Sequence, residues 1–231
     1  MSLTFTTTGA LAVQDGIKIA VHGRSGAGKT RLCATAPRPM LATAERGTLS
    51  IAEQNIPCAI INNLAELLDF QRWVRESQHA RNFDTICLDS LSEIAEKLLS
   101  VEKAQNKDPR KAYGEMQDQV AVMIRLFRDL PEKNVYFSCK SALLTQPDNT
   151  VLYSPMMPGQ KLGPTIPYFF DEVFYLGIAK TPEGVPYRYL QTSPDETAEA
   201  KDRSGTLDKL EPPDLTHIFN KIRKAVSQPT K

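Results

Sequence analysis

Eight residues near the start of the chain have the types and the order needed to hold a phosphate chain. Gly23-Arg24-Ser25-Gly26-Ala27-Gly28-Lys29-Thr30 follows G-x-x-x-x-G-K-[ST], the P-loop pattern. Glycines let successive backbone N–H groups turn inward around an anion, and a helix that starts at Lys29 adds its positive end. Lys29 then reaches the β and γ phosphates, and the Thr30 hydroxyl is placed to ligate Mg²⁺. All eight residues are therefore expected to bind a nucleoside triphosphate, ATP, with Mg²⁺ as its metal.

A site of this kind also needs acids. Thr85-Ile86-Cys87-Leu88-Asp89 is an apolar run closed by a carboxylate, the Walker B pattern. At a strand end Asp89 approaches the Mg²⁺ through a water. Its other reading is structural: Asp89 or Ser90 simply caps the helix that follows. Ser90 occupies the position where many ATPases carry a water-activating Glu, so the general base must come from elsewhere. Glu45 is the first candidate, because it ends a second strand on the edge where open α/β sheets bind ligands. Glu93, one helical turn beyond Asp89, is its rival. Lys140 follows the apolar run 135–139 and is placed to sense the γ-phosphate, to contact nucleic acid, or only to face solvent.

The elements that must position these residues alternate. Ile17-Lys18-Ile19-Ala20-Val21 reads as a buried strand, and Lys29 to Ala36 as a helix stopped by Pro37. Pro39 to Ala44, Ala59 to Ile61, 85–89 and 135–139 read as further strands. Leu64 to Gln78, a stripe from Leu91 to Leu99, and a face from Met116 to Phe127 read as helices. Glu172 to Ile178 and Pro186 to Gln191 pair around Pro182-Glu183-Gly184, and Asp214 caps a last helix. The pattern predicts an α/β fold: a mostly parallel central sheet, helices on both faces, and a C-terminal antiparallel strand pair. Residues 1–14 read as a Thr-rich lead-in with weak strand alternation and a possible role in assembly, 15–226 as one domain, and 227–231 as a flexible tail. Two segments read as irregular: the polar stretch Glu102 to Tyr113, with Pro109 as a breaker, and Ser141 to Pro167, with its five prolines.

Composition narrows the class. The chain has 231 residues, a net charge of +1 and 41% hydrophobic residues, ordinary for a globular protein. Near-neutrality gives no global pull toward nucleic acid, so any such contact must come from local basic patches. The four cysteines, Cys33, Cys58, Cys87 and Cys139, lack C-x-x-C spacing, which argues against a zinc site. With neither an N-terminal signal pattern nor a long apolar run, no membrane contact and a cytoplasmic location with reduced thiols are expected.

Taken together, the P-loop, the acid after the second strand, Asp89 and the polar residue after the next strand resemble the RecA-type ATPase core. Ala200-Lys201-Asp202-Arg203-Ser204-Gly205 looks like the K-x-R-x-G motif of the RadA and DnaB branches, with Asp202 where Asn is usual. The resemblance implies that Lys201 and Arg203 act on a neighbouring subunit's γ-phosphate. The compact form looks most like phage-encoded RecA-core proteins, some of which anneal single strands in recombination. It implies weak ATPase activity, single-stranded DNA binding, a homo-oligomer as a ring or filament, and cooperation with a single-strand DNA-binding protein. Two departures stand out: Lys140 replaces the Gln found at that strand end in RecA, and no F-x-x-A assembly motif follows Phe5.

In such a core two loops face DNA, and by position they are 102–113 and 141–167. Lys103, Lys107, Arg110 and Lys111 are the candidate DNA-binding cations of the first, with Tyr113 as a stacking partner; the bland reading of the same charges is solvation. Two other classes compete with a DNA-acting ATPase. A nucleotide-gated assembly or helicase-loading module would hydrolyse little, and a small-molecule P-loop kinase would need an acceptor site and lid arginines.

Overall fold

A computed structural model describes residues 5–145 and 148–227. Its centre is a sheet of parallel strands. The strands are β1 (Lys18–Gly23), β2 (Pro39–Thr43), β3 (Cys58–Ile60), β4 (Thr85–Asp89), β5 (Asn134–Thr145) and β7 (Glu172–Lys180). They lie in the order β7-β1-β5-β4-β2-β3. Antiparallel strands extend it. β8 (Pro186–Gln191) pairs with β7 and carries β10 (Leu210–Glu211), β6 (Val151–Met156) pairs with β5, and β9 (Lys201–Asp202) pairs with β7.

Alternation along the strands divides the core in two. Ala20, Leu88, Phe137 and Val173 face one layer, built from α3 (Leu64–Glu76), α4 (Leu91–Gln105), α5 (Pro109–Arg128) and α6 (Leu162–Phe169). Ile19, Val21, Cys87, Tyr136 and Phe174 face the other, built from α2 (Lys29–Cys33) and α7 (Leu215–Ser227). Strands covered on both faces read as continuous apolar runs, which is why β1 and β4 were visible in the sequence. Asp214 caps α7 by accepting from His217 N at 3.1 Å. Among the described residues no helix is long and apolar enough to cross a membrane.

Three expectations are corrected. The lead-in forms a helix, α1 (Thr8–Gln14), capped by the Thr7 hydroxyl, rather than a strand. Met1 to Thr4 and residues 228–231 of the expected tail lie outside the described residues. Glu102 to Tyr113 is not a loop: α4 runs to Gln105 and α5 begins at Pro109, leaving residues 106–108 as the connection. Pro109 starts a helix rather than breaking one, because at the first turn its missing N–H costs nothing and Asp108 caps the end. Buried Glu102 accepts from Gln119 Nε2 at 2.6 Å, tying the two helices together. Nor is Ser141 to Pro167 irregular. β5 continues to Thr145, returns as β6, and leads into α6.

Candidate nucleotide site

The parallel strands β1, β2, β4 and β5 end on one edge, and the candidate residues gather there as such a sheet requires. A cleft of about 610 Å³ is lined by Gly23, Ser25, Gly26, Gly28, Lys29, Thr30, Glu45, Asp89, Ser90 and Lys140, among others. A larger cleft of about 1020 Å³ opens at the opposite edge, where β2, β4 and β5 begin. It has no glycine loop, and its Arg38 pairs with Asp84 at 2.5 Å; the P-loop residues all line the smaller cleft or lie beside it.

Two glycines are required by geometry. Gly28 sits at φ +107°, a left-handed conformation that side chains resist. A Cβ on Gly23 would lie 2.9 Å from the Leu176 carbonyl of the neighbouring strand β7. α2 is shorter than expected: after Cys33 the bonds tighten to Thr35 N→Leu32 O and Ala36 N→Cys33 O before Pro37. Arg24 and Ser25 are exposed on the loop and Ala27 is buried beneath it.

The Lys29 ammonium folds back over the loop, donating to Gly23 O at 2.8 Å and Arg24 O at 3.1 Å. Burial lowers its pKa, and Asp89 opposes that shift. The Thr30 hydroxyl donates to Asp89 Oδ2 at 2.6 Å. The other Asp89 oxygen accepts from the buried Ser138 hydroxyl. Ser90, not Asp89, caps α4 by accepting from Glu93 N at 3.2 Å, so the capping alternative for Asp89 falls away. A hydroxyl and a carboxylate oxygen facing one cleft fit the oxygen preference of Mg²⁺, which keeps several waters and takes few protein ligands. Thr30 and Asp89 are the residues that would hold it, and such an ion would neutralise charge on the β and γ phosphates.

Glu45 is exposed on the cleft wall, two residues past β2, and accepts from Ser90 Oγ at 3.1 Å. That bond ties its carboxylate to the residue after Asp89 and leaves its second oxygen without a hydrogen bond among the described residues. Glu93 is differently engaged, since Lys140 donates to Glu93 Oε2 at 3.2 Å and Glu96 Oε1 at 2.7 Å. Lys140 therefore lines the cleft but its charge is matched by two acids of α4. The two acids thus differ in their partners: Glu93 pairs with a cation, and Glu45 with a hydroxyl.

Lys201 and Arg203 are not brought into this cleft. Lys201 Nζ donates to Pro167 O at 2.8 Å and Phe170 O at 2.5 Å, capping the end of α6. Arg203 pairs with Asp171 at 2.9 Å, and Asp171 N bonds the carbonyl of Lys18 at the start of β1. Gly23 lies five residue steps along β1 from Lys18, about 16 Å at strand rise. Arg203 therefore lies well away from the P-loop of its own chain. Lys103, Lys107, Arg110 and Lys111 are all exposed around the α4–α5 turn, away from the P-loop, with Lys103 5.0 Å over the Tyr113 ring.

Sequence reasoning missed several participants. Ser138, the one serine in the apolar run of β5, orients Asp89, and its isolation among hydrophobic residues was the available signal. The buried Tyr136 hydroxyl holds Lys29 O at 2.8 Å. Arg188, on β8, donates from Nε to Ala27 O at 2.8 Å. His22, buried beside Gly23, donates from Nε2 to Glu199 O (2.7 Å) and, as burial holds its pKa down at about 4 and the ring stays neutral, accepts at Nδ1 from Ser141 Oγ (3.0 Å).

A KaiC-like protein of the hyperthermophilic archaeon Pyrococcus horikoshii is among the solved structures that match. It is 14% identical over 76% of this chain and 78% of its own, with a TM-score of 0.44. No curated protein matches the chain. The family model described as "AAA domain" matches residues 15–204, from the start of the sheet to the Arg203 segment. With most of its length so matched, the chain belongs to the AAA domain family of P-loop ATPases.

Proposed function

We propose that the protein binds Mg-ATP in the P-loop cleft and hydrolyses it, with Glu45 orienting the attacking water. The observation that carries this reading is the Thr30–Asp89 hydrogen bond at 2.6 Å, which joins the metal-ligand hydroxyl to the Walker B carboxylate inside one cleft. Lys29 holds the β and γ phosphates, and the loop amides cradle them. The proton leaving the water passes to Glu45, whose other oxygen stays on Ser90.

The polymer acted on is, in this proposal, single-stranded DNA, with the protein working as an oligomer in recombination or strand annealing, beside a single-strand DNA-binding protein and in a phage setting. Support comes from the Lys201–Gly205 resemblance and from the four exposed cations at the α4–α5 turn. That turn packs near the return from the β5–β6 hairpin, since a Cβ on Gly159 would meet the Tyr113 ring at 3.2 Å. A second reading, a nucleotide-gated assembly module with negligible hydrolysis, is favoured by one observation: Ser90 stands where a catalytic Glu is usual.

ATP hydrolysis with and without single-stranded DNA separates the readings. DNA-stimulated turnover supports the first, and ATP binding without turnover supports the second. Replacing Arg110 and Lys111 together by Ala should weaken DNA binding and flatten its salt dependence, because fewer counterions are released. Equal affinity and salt slope in the double variant would remove the α4–α5 turn from the DNA surface.

A further inference from the structure

A second cleft, about 350 Å³, opens on the far side of the P-loop from Asp89. Gly28, Arg31, Ser50 and Arg188 line both clefts, so the two are continuous across the start of α2. The floor of the second cleft is apolar: Leu32, Ile51 and Leu176 are 2%, 4% and 1% exposed. A slot with an apolar floor joined to a phosphate cradle matches the two ends of a nucleotide, a flat base and a charged tail.

Arg188 stands at the junction. Its side chain lies flat against the loop, so that a Cβ on Gly28 would meet Nε at 3.2 Å and Cδ at 3.4 Å. Nε is spent on Ala27 O at 2.8 Å, its one hydrogen bond among the described residues. Guanidinium carries five N–H donors in a plane, so four remain, along with a face able to stack on a heteroaromatic ring. No carboxylate ion pair engages it among the described residues, so no acid neutralises the guanidinium where the two clefts join.

We infer that Arg188 is a nucleotide-binding residue supplied by β8, which holds the ribose and base of a nucleoside triphosphate in the second cleft while its Nε braces the P-loop through Ala27. The inference rests on the nucleotide reading of the first cleft and adds the location of the nucleoside end. The Nε bond fixes the guanidinium plane before ligand arrives, so less freedom is lost on binding.

The test compares Mg-ATP with inorganic Mg-tripolyphosphate, which has the charged tail but no nucleoside. Calorimetric affinities are measured for the parent chain, Arg188→Ala and Arg188→Gln; the glutamine keeps a donor for Ala27 O without the guanidinium plane. Loss of a guanidinium–ring contact with its ribose hydrogen bonds should weaken ATP roughly tenfold or more in Arg188→Gln and leave tripolyphosphate within about twofold, whereas Arg188→Ala, which also loses the Ala27 brace, should weaken both ligands, ATP by roughly tenfold more. A purely structural role, bracing the loop, would weaken both ligands together in Arg188→Ala and restore both in Arg188→Gln. That result, or unchanged ATP affinity in the variants, would overturn the inference while leaving the nucleotide reading intact. A parent chain that binds neither ligand would defeat the nucleotide reading itself.

Discussion

The Thr30 hydroxyl and the Asp89 carboxylate, 59 positions apart in the chain, meet at 2.6 Å. The contact joins the first turn of α2 to the end of β4, two elements that are not adjacent in sequence. β1, which delivers the loop, and β4 are separated in the sheet by β5, so the hydrogen bond bridges over a strand. Ser138 on that intervening strand donates to the other Asp89 oxygen, so both carboxylate oxygens are held.

Thr30→Val tests the metal half of this arrangement. It keeps the shape and removes the hydroxyl, so Asp89 loses one donor and Mg²⁺ one ligand. The expected outcome is a rise in the Mg²⁺ concentration required for tight ATP binding, with metal-free nucleotide binding little changed. Titrating ATP affinity against Mg²⁺ checks it.

Glu45→Gln tests the base. The amide can still accept from Ser90 but cannot take a proton. Losing a general base costs roughly 10²–10⁴ in rate, so hydrolysis should fall by that order while ATP affinity survives. Glu93→Gln should act differently: it removes one of two acids matched to Lys140 and leaves turnover mainly intact. The two variants exchanging these phenotypes would identify Glu93 as the base.

Arg203 tests a shared site. About 16 Å of β1 lies between the level of Lys18, where the Asp171–Arg203 pair sits, and its own P-loop. An arginine supplied across an interface is worth about 10³–10⁵ in phosphoryl-transfer rate. Arg203→Ala should then bind ATP normally and hydrolyse it poorly, and mixing it with Lys29→Ala should restore some turnover through interfaces holding one intact copy of each. Turnover strictly linear in protein concentration, with no rescue on mixing, would reject the shared site.

Glu172 gives the fold a pH dependence with a definite sign. Burial, with Asp202 alongside, pushes its pKa up to about 8. Its Oε2 has no partner among the described residues, and a proton there supplies a donor toward Asp202. The folded chain therefore keeps a proton that the unfolded chain releases near the ordinary value of 4.5, so this group's contribution is full below that pH and is lost as pH rises toward 8. His22 works oppositely at lower pH: its pKa is depressed to about 4, so stability is gained as pH rises from there toward 6.5. Comparing Glu172→Gln with the parent isolates the first effect. The variant should gain in melting temperature relative to the parent between pH 5 and pH 8, and a constant difference would contradict the assignment.

Much of this was legible in the sequence because parallel strands buried on both faces leave uninterrupted apolar runs. Thr85–Asp89 was readable to the residue, and the P-loop pattern located the cleft. The misreadings have physical causes. α5 begins with Asp108-Pro109, a start signal that resembles a break when the polar face of the helix dominates the local composition. The β5–β6 hairpin extends beyond the core sheet, where Pro155 costs fewer ladder bonds, so prolines there did not mean irregular chain. Arg188 was hidden because an exposed strand residue looks the same whether it faces solvent or reaches across to a loop 161 positions earlier.

The most direct test of the account is calorimetric titration of Mg-ATP into the parent chain and into Lys29→Ala. Lys29 is held over the loop by two carbonyls that phosphate oxygens would replace. Losing a charged hydrogen bond costs about 1.5–3 kcal/mol, roughly ten- to a hundredfold in affinity. The account predicts saturable binding to the parent and a loss of at least that order in a folded Lys29→Ala. Equal affinity in the two proteins, or no binding by the parent, would contradict it.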